Sequence, residues 1–167
     1  MDISFFNTMD RKQELFRPLH EGEARMYTCG PTVYNYFHLG NARPFIVFDC
    51  LRQFLEYRGY DVKFVQNFTD IDDKIIKRSI EEGITFEEVA RKYENEYYHD
   101  LNGLNVRLAD ARPRVSDHIP EIIDIVQTLI DKEHAYRVDN GDVYFRTRKF
   151  DEYGKLSHQP IDDLESG

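Results

Sequence analysis

Residues 26–45 read MYTCGPTVYNYFHLGNARPF, and the way this stretch folds decides the rest. Apolar and bulky residues from Ala24 run into Cys29, where Gly30-Pro31 stops them, so Ala24 to Cys29 reads as a short strand. Pro44 pre-sets a helical φ in a first turn, where its missing N–H is no loss, and predicts a helix to about Tyr57 or Arg58. Phe45, Val47, Phe48, Leu51, Phe54 and Leu55 fill more than one narrow stripe, so this helix is expected to be well buried. Gly59 suits the position after its end, and Asp61 to Gln66, with Val62, Phe64 and Val65, reads as a second strand. Strand, helix, strand makes a βαβ unit with a parallel pair and a right-handed crossover, and the fold class is α/β.

Upstream, residues 3–18 read as a small hairpin about a polar turn near Thr8 to Arg11. Downstream, Asn67 to Lys74 closes the second strand and starts a helix with Ile75, Ile76 and Ile80 inward and Gly83 as its stop. Thr85 and Glu88 form a capping-box pattern for a further helix, which packs through Phe86, Val89, Ala90, Tyr93, Tyr97 and Leu101. Gly103 to Pro113 reads as a linker. Ser116 or Asp117 caps the next helix, with Pro120 in its first turn and Ile119, Ile122, Ile123, Val126, Leu129 and Ile130 as apolar contacts. Ala135–Val138 and Val143–Phe145 flank Asp139-Asn140-Gly141-Asp142 as a β-hairpin, and residues 153–167 look irregular. No later strand closes the parallel sheet. Residues 1–102 therefore read as the first half of an α/β domain and 103–167 as the start of an inserted α+β segment, the whole being the front portion of a larger protein.

The 167 residues suffice for one domain with a core, and their formal charge is −9. That acidity argues against a dedicated DNA-binding module, although a local basic patch can still hold RNA. Cys29 and Cys50 stand in unlike settings and make no disulfide framework; Cys50, inside an apolar helical run, reads as an inert buried thiol. No signal-peptide pattern and no apolar run of membrane-spanning length is present, so a cytoplasmic compartment is expected.

Cys29 is the sharpest chemical candidate, because a thiolate at a strand end can ligate zinc or act as a nucleophile. No second paired cysteine or HExxH accompanies it, so most partners of a zinc at Cys29 would lie outside this segment. In His38-Leu39-Gly40-Asn41, Gly40 permits close approach of a ligand, while His38 and Asn41 can donate to developing negative charge. Thr32 and Thr69 can donate from the ends of adjacent βα loops, the edge where open α/β sheets bind ligands. Asp70, Asp72 and Asp73 suggest magnesium, against which stands simple helix capping; Lys74, Lys77 and Arg78 form a short basic stretch that can meet phosphate, with a solvated face as the favoured reading.

The segments YTCGPTVYNYFHLGNARPF and VKFVQNFTDIDDKIIKRS, with the weaker GLNVRLADARPR and HAYRVDNGDVYF, resemble the cysteinyl-tRNA synthetases, class I aminoacyl-tRNA synthetases. The resemblance implies a Rossmann-like nucleotide-binding domain interrupted by a connective segment. It implies an ATP-dependent ligase that forms cysteinyl-adenylate and transfers cysteine to the 3′ terminal adenosine of its tRNA. Cys29 then resembles the first zinc ligand, whose metal binds the substrate thiolate and so selects sulfur over a hydroxyl. Gly30, Thr32 and Thr69 resemble the cysteine pocket, and His38, Gly40 and Asn41 the HIGH signature that holds ATP, with His38 and Asn41 as catalytic donors. Mg2+ accompanies ATP. Asn41 stands where the signature has histidine, keeping a donor but no charge.

A KMSKS-like loop, the later zinc ligands and an anticodon-binding domain are missing, so the segment alone is expected to be inactive, within a parent that is expected to be monomeric and free of membrane. Two alternatives stand beside this reading. One is a cysteine-activating ligase with an amino-sugar acceptor; the other is a non-catalytic fragment serving as an interaction module.

Overall fold

The computed structural model describes residues 2–163. The chain opens with the expected hairpin, β1 (Ser4–Asn7) against β2 (Lys12–Leu15), paired antiparallel from Ser4↔Leu15 to Asn7↔Lys12. Next come β3 (Glu23–Thr28), α1 (Leu39–Tyr57) and β4 (Asp61–Gln66). The two strands pair in parallel, in register from Glu23↔Asp61 to Thr28↔Gln66, as the βαβ reading requires. Helices α2 (Asp73–Glu82) and α3 (Phe86–Gly103) follow, then α4 (Ile119–Asp131) and the hairpin of β5 (Ala135–Arg137) and β6 (Val143–Phe145).

These elements fall into two compact units. Pro18–Ile119 forms one unit; the residues up to Arg17 join those from Pro120 in the other. Within the first, the core is Val33, Phe45, Phe68, Ile75, Val89, Ala90, Tyr93, Tyr97 and Leu101, so α1, α2, α3 and the ends of both strands share one apolar interior. In the second, no residue of α4 is buried; Ile122 and Ile123, expected as packed contacts, are exposed, and Val126, Leu129 and Ile130 are half-buried.

Several expectations for the first unit are corrected. Helix α1 begins at Leu39, five residues before Pro44, because His38 and Asn41 cap it reciprocally. Pro44 therefore lies inside the helix and leaves the Gly40 carbonyl without its usual i+4 donor. Only one stripe of α1 is buried, through Ala42, Phe45, Asp49, Arg52 and Leu55. Val47 and Phe54 are exposed, and so is the Cys50 thiol that the sequence placed in the core. In α2 the inward residues are Ile75 and Ser79, one turn apart, whereas Ile76 and Ile80 face solvent. A helix against a single neighbour buries one i, i+4 row, and α2 has α3 as that neighbour. Gly83 ends α2 in the left-handed region and Thr85–Glu88 caps α3 from both sides, as read.

The supposed linker after Gly103 is a third extended segment lying along β4. Ala111 and Arg114 bridge in parallel to Val65 and Phe68. The Gln66 and Phe68 amides donate to the Ala111 and Pro113 carbonyls at 3.0 and 2.8 Å. This satisfies the β4 edge, which would otherwise offer unpaired backbone groups. Arg52, nearly buried on α1, fixes the segment by donating to the Leu108 carbonyl at 2.7 Å and to Asp110 at 2.6 Å, with Glu56 at 3.1 Å. Asp110 in turn accepts from the Phe64 amide at 2.8 Å. Ser116 does not cap α4; its N–H and hydroxyl both donate to buried Asp70, so that carboxylate ties the start of the next segment to the end of β4.

Replacing Arg52 with Met removes the clamp while keeping the aliphatic stem. The segment should then detach from β4 more readily, by about 2 kcal/mol, the range for hydrogen bonds to a charged group. Hydrogen exchange of the Gln66 and Phe68 amides should accelerate roughly thirtyfold while α3 amides hold their protection; equal acceleration in both places would refute a local clamp.

Candidate functional site

A cavity of about 310 Å3 opens beyond the carboxyl end of β3. Its lining includes Cys29, Gly30, Thr32 and Asn41, so four of the residues singled out from sequence meet in one place. The Gly-Pro turn throws the chain from β3 across the end of β4. Thr32 then pairs with Thr69 in an isolated parallel bridge, in which the Val33 amide donates to the Thr69 carbonyl at 3.2 Å and the Thr69 amide to Pro31 at 3.1 Å. Thr69 thus supports the turn and is not itself part of the lining.

Gly30 is required by contact with Asn67. A Cβ at position 30 would lie 1.6 Å from the Asn67 carbonyl oxygen, a distance only glycine avoids. Asn67 also holds the turn with its side chain: its Oδ1 accepts from the Gly30 amide at 3.0 Å and from the Tyr27 hydroxyl at 2.8 Å. Beneath, a buried chain of hydrogen bonds anchors the last residue of β3. The Tyr97 hydroxyl donates to Gln66, whose amide donates to the Thr28 hydroxyl at 3.1 Å. Cys29 follows Thr28 immediately, and its thiol is exposed, lying 3.6 Å from the Gly30 carbonyl. A cysteine serving only to fill a core would be hidden.

At the start of α1 the His38 Nδ1 accepts from the Gly40 amide at 3.1 Å, and Asn41 Oδ1 accepts from the His38 amide at 3.1 Å. Two consequences follow. With Nδ1 accepting, a neutral His38 carries its proton on Nε2. Asn41 spends its oxygen on the cap and keeps its amide N–H groups for the cavity it lines. His38 and Gly40 adjoin the cavity through this cap but are absent from its lining. Asp72 is the N-cap of α2 and accepts from the Lys74 amide at 2.9 Å, as the capping alternative had it.

Sequence reading missed Tyr34, Asn35, Tyr36, Tyr93 and Tyr97 as lining residues and Asn67 as the support of the turn; Lys74, favoured as part of a solvated face, stands at the cavity, and Lys77 and Arg78 are absent from its lining. The tyrosines look like ordinary loop or core residues, and only the repeated Tyr-x-Tyr at 34–36 hinted otherwise. As for metal, the described residues contain no group of three His, Cys, Asp or Glu placed to hold one. Cys29 is a single suitable soft donor where a zinc site needs three or four.

Comparison with known proteins fits this geometry. The family model described as tRNA synthetases class I (C) catalytic domain matches residues 15–167, so the chain belongs to that family, and its α/β core is that of a class I catalytic domain. The chain is 61% identical to the cysteine–tRNA ligase of Clostridioides difficile (strain 630), over 99% of this chain and 35% of the relative. It is 59% identical to the cysteine–tRNA ligase of Brevibacillus brevis, over 100% of this chain and 36% of the relative, and 57% identical to that of Lachnospira eligens, over 99% and 35%. The chain therefore spans about a third of the length of these relatives. Among the described residues no helix is long and apolar enough to cross a membrane.

Burial pushes the Tyr97 phenol well up from its usual range, so the hydrogen bond to Gln66 persists into strong alkali. The sign follows from proton counting. Above about pH 10 the unfolded chain has released this proton and the folded chain has not, so stability falls as pH rises toward the folded value. Tyr97→Phe should flatten that alkaline decline. It should also cost about 1–3 kcal/mol at neutral pH by stranding the buried Gln66 oxygen. Urea denaturation at pH 7 and 10.5 checks both, and an unchanged alkaline slope would contradict the assignment.

Proposed function

We propose that this chain is part of the catalytic domain of a cysteine–tRNA ligase, which activates cysteine with ATP to cysteinyl-adenylate and passes it to the 3′ terminal adenosine of its tRNA. The observation that carries the proposal is the cavity itself. It sets an exposed thiol, a glycine turn and the Asn41 amide at the carboxyl end of a parallel βαβ unit, where such folds bind ligands. The relatives named above are tRNA ligases, which favours tRNA over an amino sugar as the acceptor.

Cys29 supplies one zinc donor, with the others from parts of the full-length protein outside this chain. Zinc, when bound, supplies a soft Lewis acid suited to a substrate thiolate and indifferent to the hydroxyl of serine. Gly30 and Thr32 shape the pocket around the amino acid, and Thr69 holds Thr32 in place. His38 donates from Nε2 toward the phosphates of ATP, Gly40 leaves room for them near the N-terminus of α1, and Asn41 donates from its side-chain amide. Mg2+ arrives with ATP and offsets its charge. Attack of the cysteine carboxylate on the α-phosphorus breaks its bond to the bridging oxygen and releases pyrophosphate, a displacement that needs positioning and charge stabilisation only, so no enzyme nucleophile is invoked. The parent acts as a monomer in the cytoplasm. Residues 18–119 carry the catalytic site, while the unit containing residues 120–163 corresponds to inserted connective structure.

Two variants of the full-length protein test this. Cys29→Ser should lower both bound zinc and cysteine-dependent ATP–pyrophosphate exchange; retention of both at wild-type level would sink the zinc assignment. His38→Ala should reduce kcat for exchange about 10²-fold or more, as removal of a transition-state donor does, with the KM for cysteine nearly unchanged. A rise in the cysteine KM at full kcat would assign His38 to ground-state binding instead.

A further inference from the structure

Lys74 has no structural reason to be where it is. It is the second residue of α2, where a cation opposes the positive end of the helix dipole and weakens the helix. Its side chain makes no ion pair with a described carboxylate, in contrast to Arg78 one turn on, which is held by Glu82 and by the Tyr93 hydroxyl. Lys74 instead stands at the cavity, with Nζ 5.4 Å from the centre of the Tyr34 ring. Both residues line the cavity, so the ring face steadies the ammonium beside the space a ligand would occupy. Of the described lining residues Lys74 alone carries a formal charge, and no carboxylate is among them. The lining thus carries one positive charge and no negative one.

We propose that Lys74 binds an anionic group of the reacting ligands, the carboxylate of the amino acid or the α-phosphate it attacks. The proposal rests on the cysteine-activating function set out above. A lysine suits the task because its compact ammonium can follow the charge as the carboxylate oxygen closes on phosphorus. Tyr34 offers the exposed ammonium a ring face beside the cavity, and of its two acidic neighbours Asp72 is spent on the α2 cap while Asp73 opens the helix.

The test uses the full-length protein with Lys74→Met and Lys74→Arg, each checked for a wild-type thermal midpoint. Lys74→Met should weaken activation about tenfold to a hundredfold, the loss that follows removal of a charged hydrogen-bond partner, and Lys74→Arg should recover most of it. The parameter that moves identifies the anion. A raised KM for cysteine, with cysteine no longer competing better than cysteamine, which lacks the carboxylate, assigns Lys74 to the amino acid. A raised KM for ATP, or a lowered kcat at unchanged KM values, assigns it to the phosphate. If Lys74→Met leaves kcat and both KM values within about twofold of an active wild type, this proposal alone is overturned, since that spread corresponds to well under 1 kcal/mol. If the wild type itself shows no cysteine-dependent exchange, the functional reading fails and takes this inference with it.

Discussion

Tyr97 is the group on which the site unit depends. Its ring meets Phe45 of α1 at 5.3 Å, Phe68 beyond β4 at 5.1 Å and Phe37 of the loop at 6.0 Å, each edge to face. Its hydroxyl reaches through Gln66 of β4 to Thr28 of β3. One side chain of α3 thus couples both parallel strands, the crossover helix and the loop that walls the cavity. Edge-to-face contacts fix ring orientation as well as distance, and the buried hydroxyl admits one hydrogen-bond arrangement. The cavity therefore owes its shape to a floor fixed by packing and hydrogen bonds.

That floor also explains why short polar residues above it can be placed accurately. Thr28 is anchored, Cys29 follows it, and the turn at Gly30 is gripped by the backbone and side chain of Asn67. On the other side of the cavity the His38–Asn41 cap locks the first turn of α1 with two reciprocal bonds. Each chemical group sits within a few bonds of a constrained backbone, the condition for positioning catalysis.

Local signals carried much of this fold. The stop at Gly83 and the Thr85–Glu88 box were legible because each depends on neighbours in sequence, and the parallel pair because a strand–helix–strand order implies it. The failures share the opposite cause. Pro44 promised a helix start, yet tertiary packing and the His38 cap extend α1 past it. Cys50, Ile76 and Ile80 look like core residues to any periodicity argument, but which of two apolar stripes is buried depends on what lies across the helix. Residues 108–115 lack strand-like patterning and pair with β4 through backbone groups and Asp110, so nothing in their side chains announced it. At the site, Cys29, Gly30, Thr32 and Asn41, singled out by residue type, line one cavity; Lys74 was legible only as one cation of a basic stretch, and the part played by Asn67 was invisible without distances.

The adjacent positions Gly30 and Cys29 face opposite kinds of selection. At 30 the Asn67 carbonyl leaves no room for a side chain, so that position is frozen by backbone geometry whatever the protein's activity. At 29 the thiol is exposed and fills no core, so packing would tolerate serine or alanine there. On the proposed role of Cys29, a lineage that lost that role but kept the fold would be free to change residue 29 and still bound to glycine at 30, so the pair would separate descent of the scaffold from retention of what the thiol does.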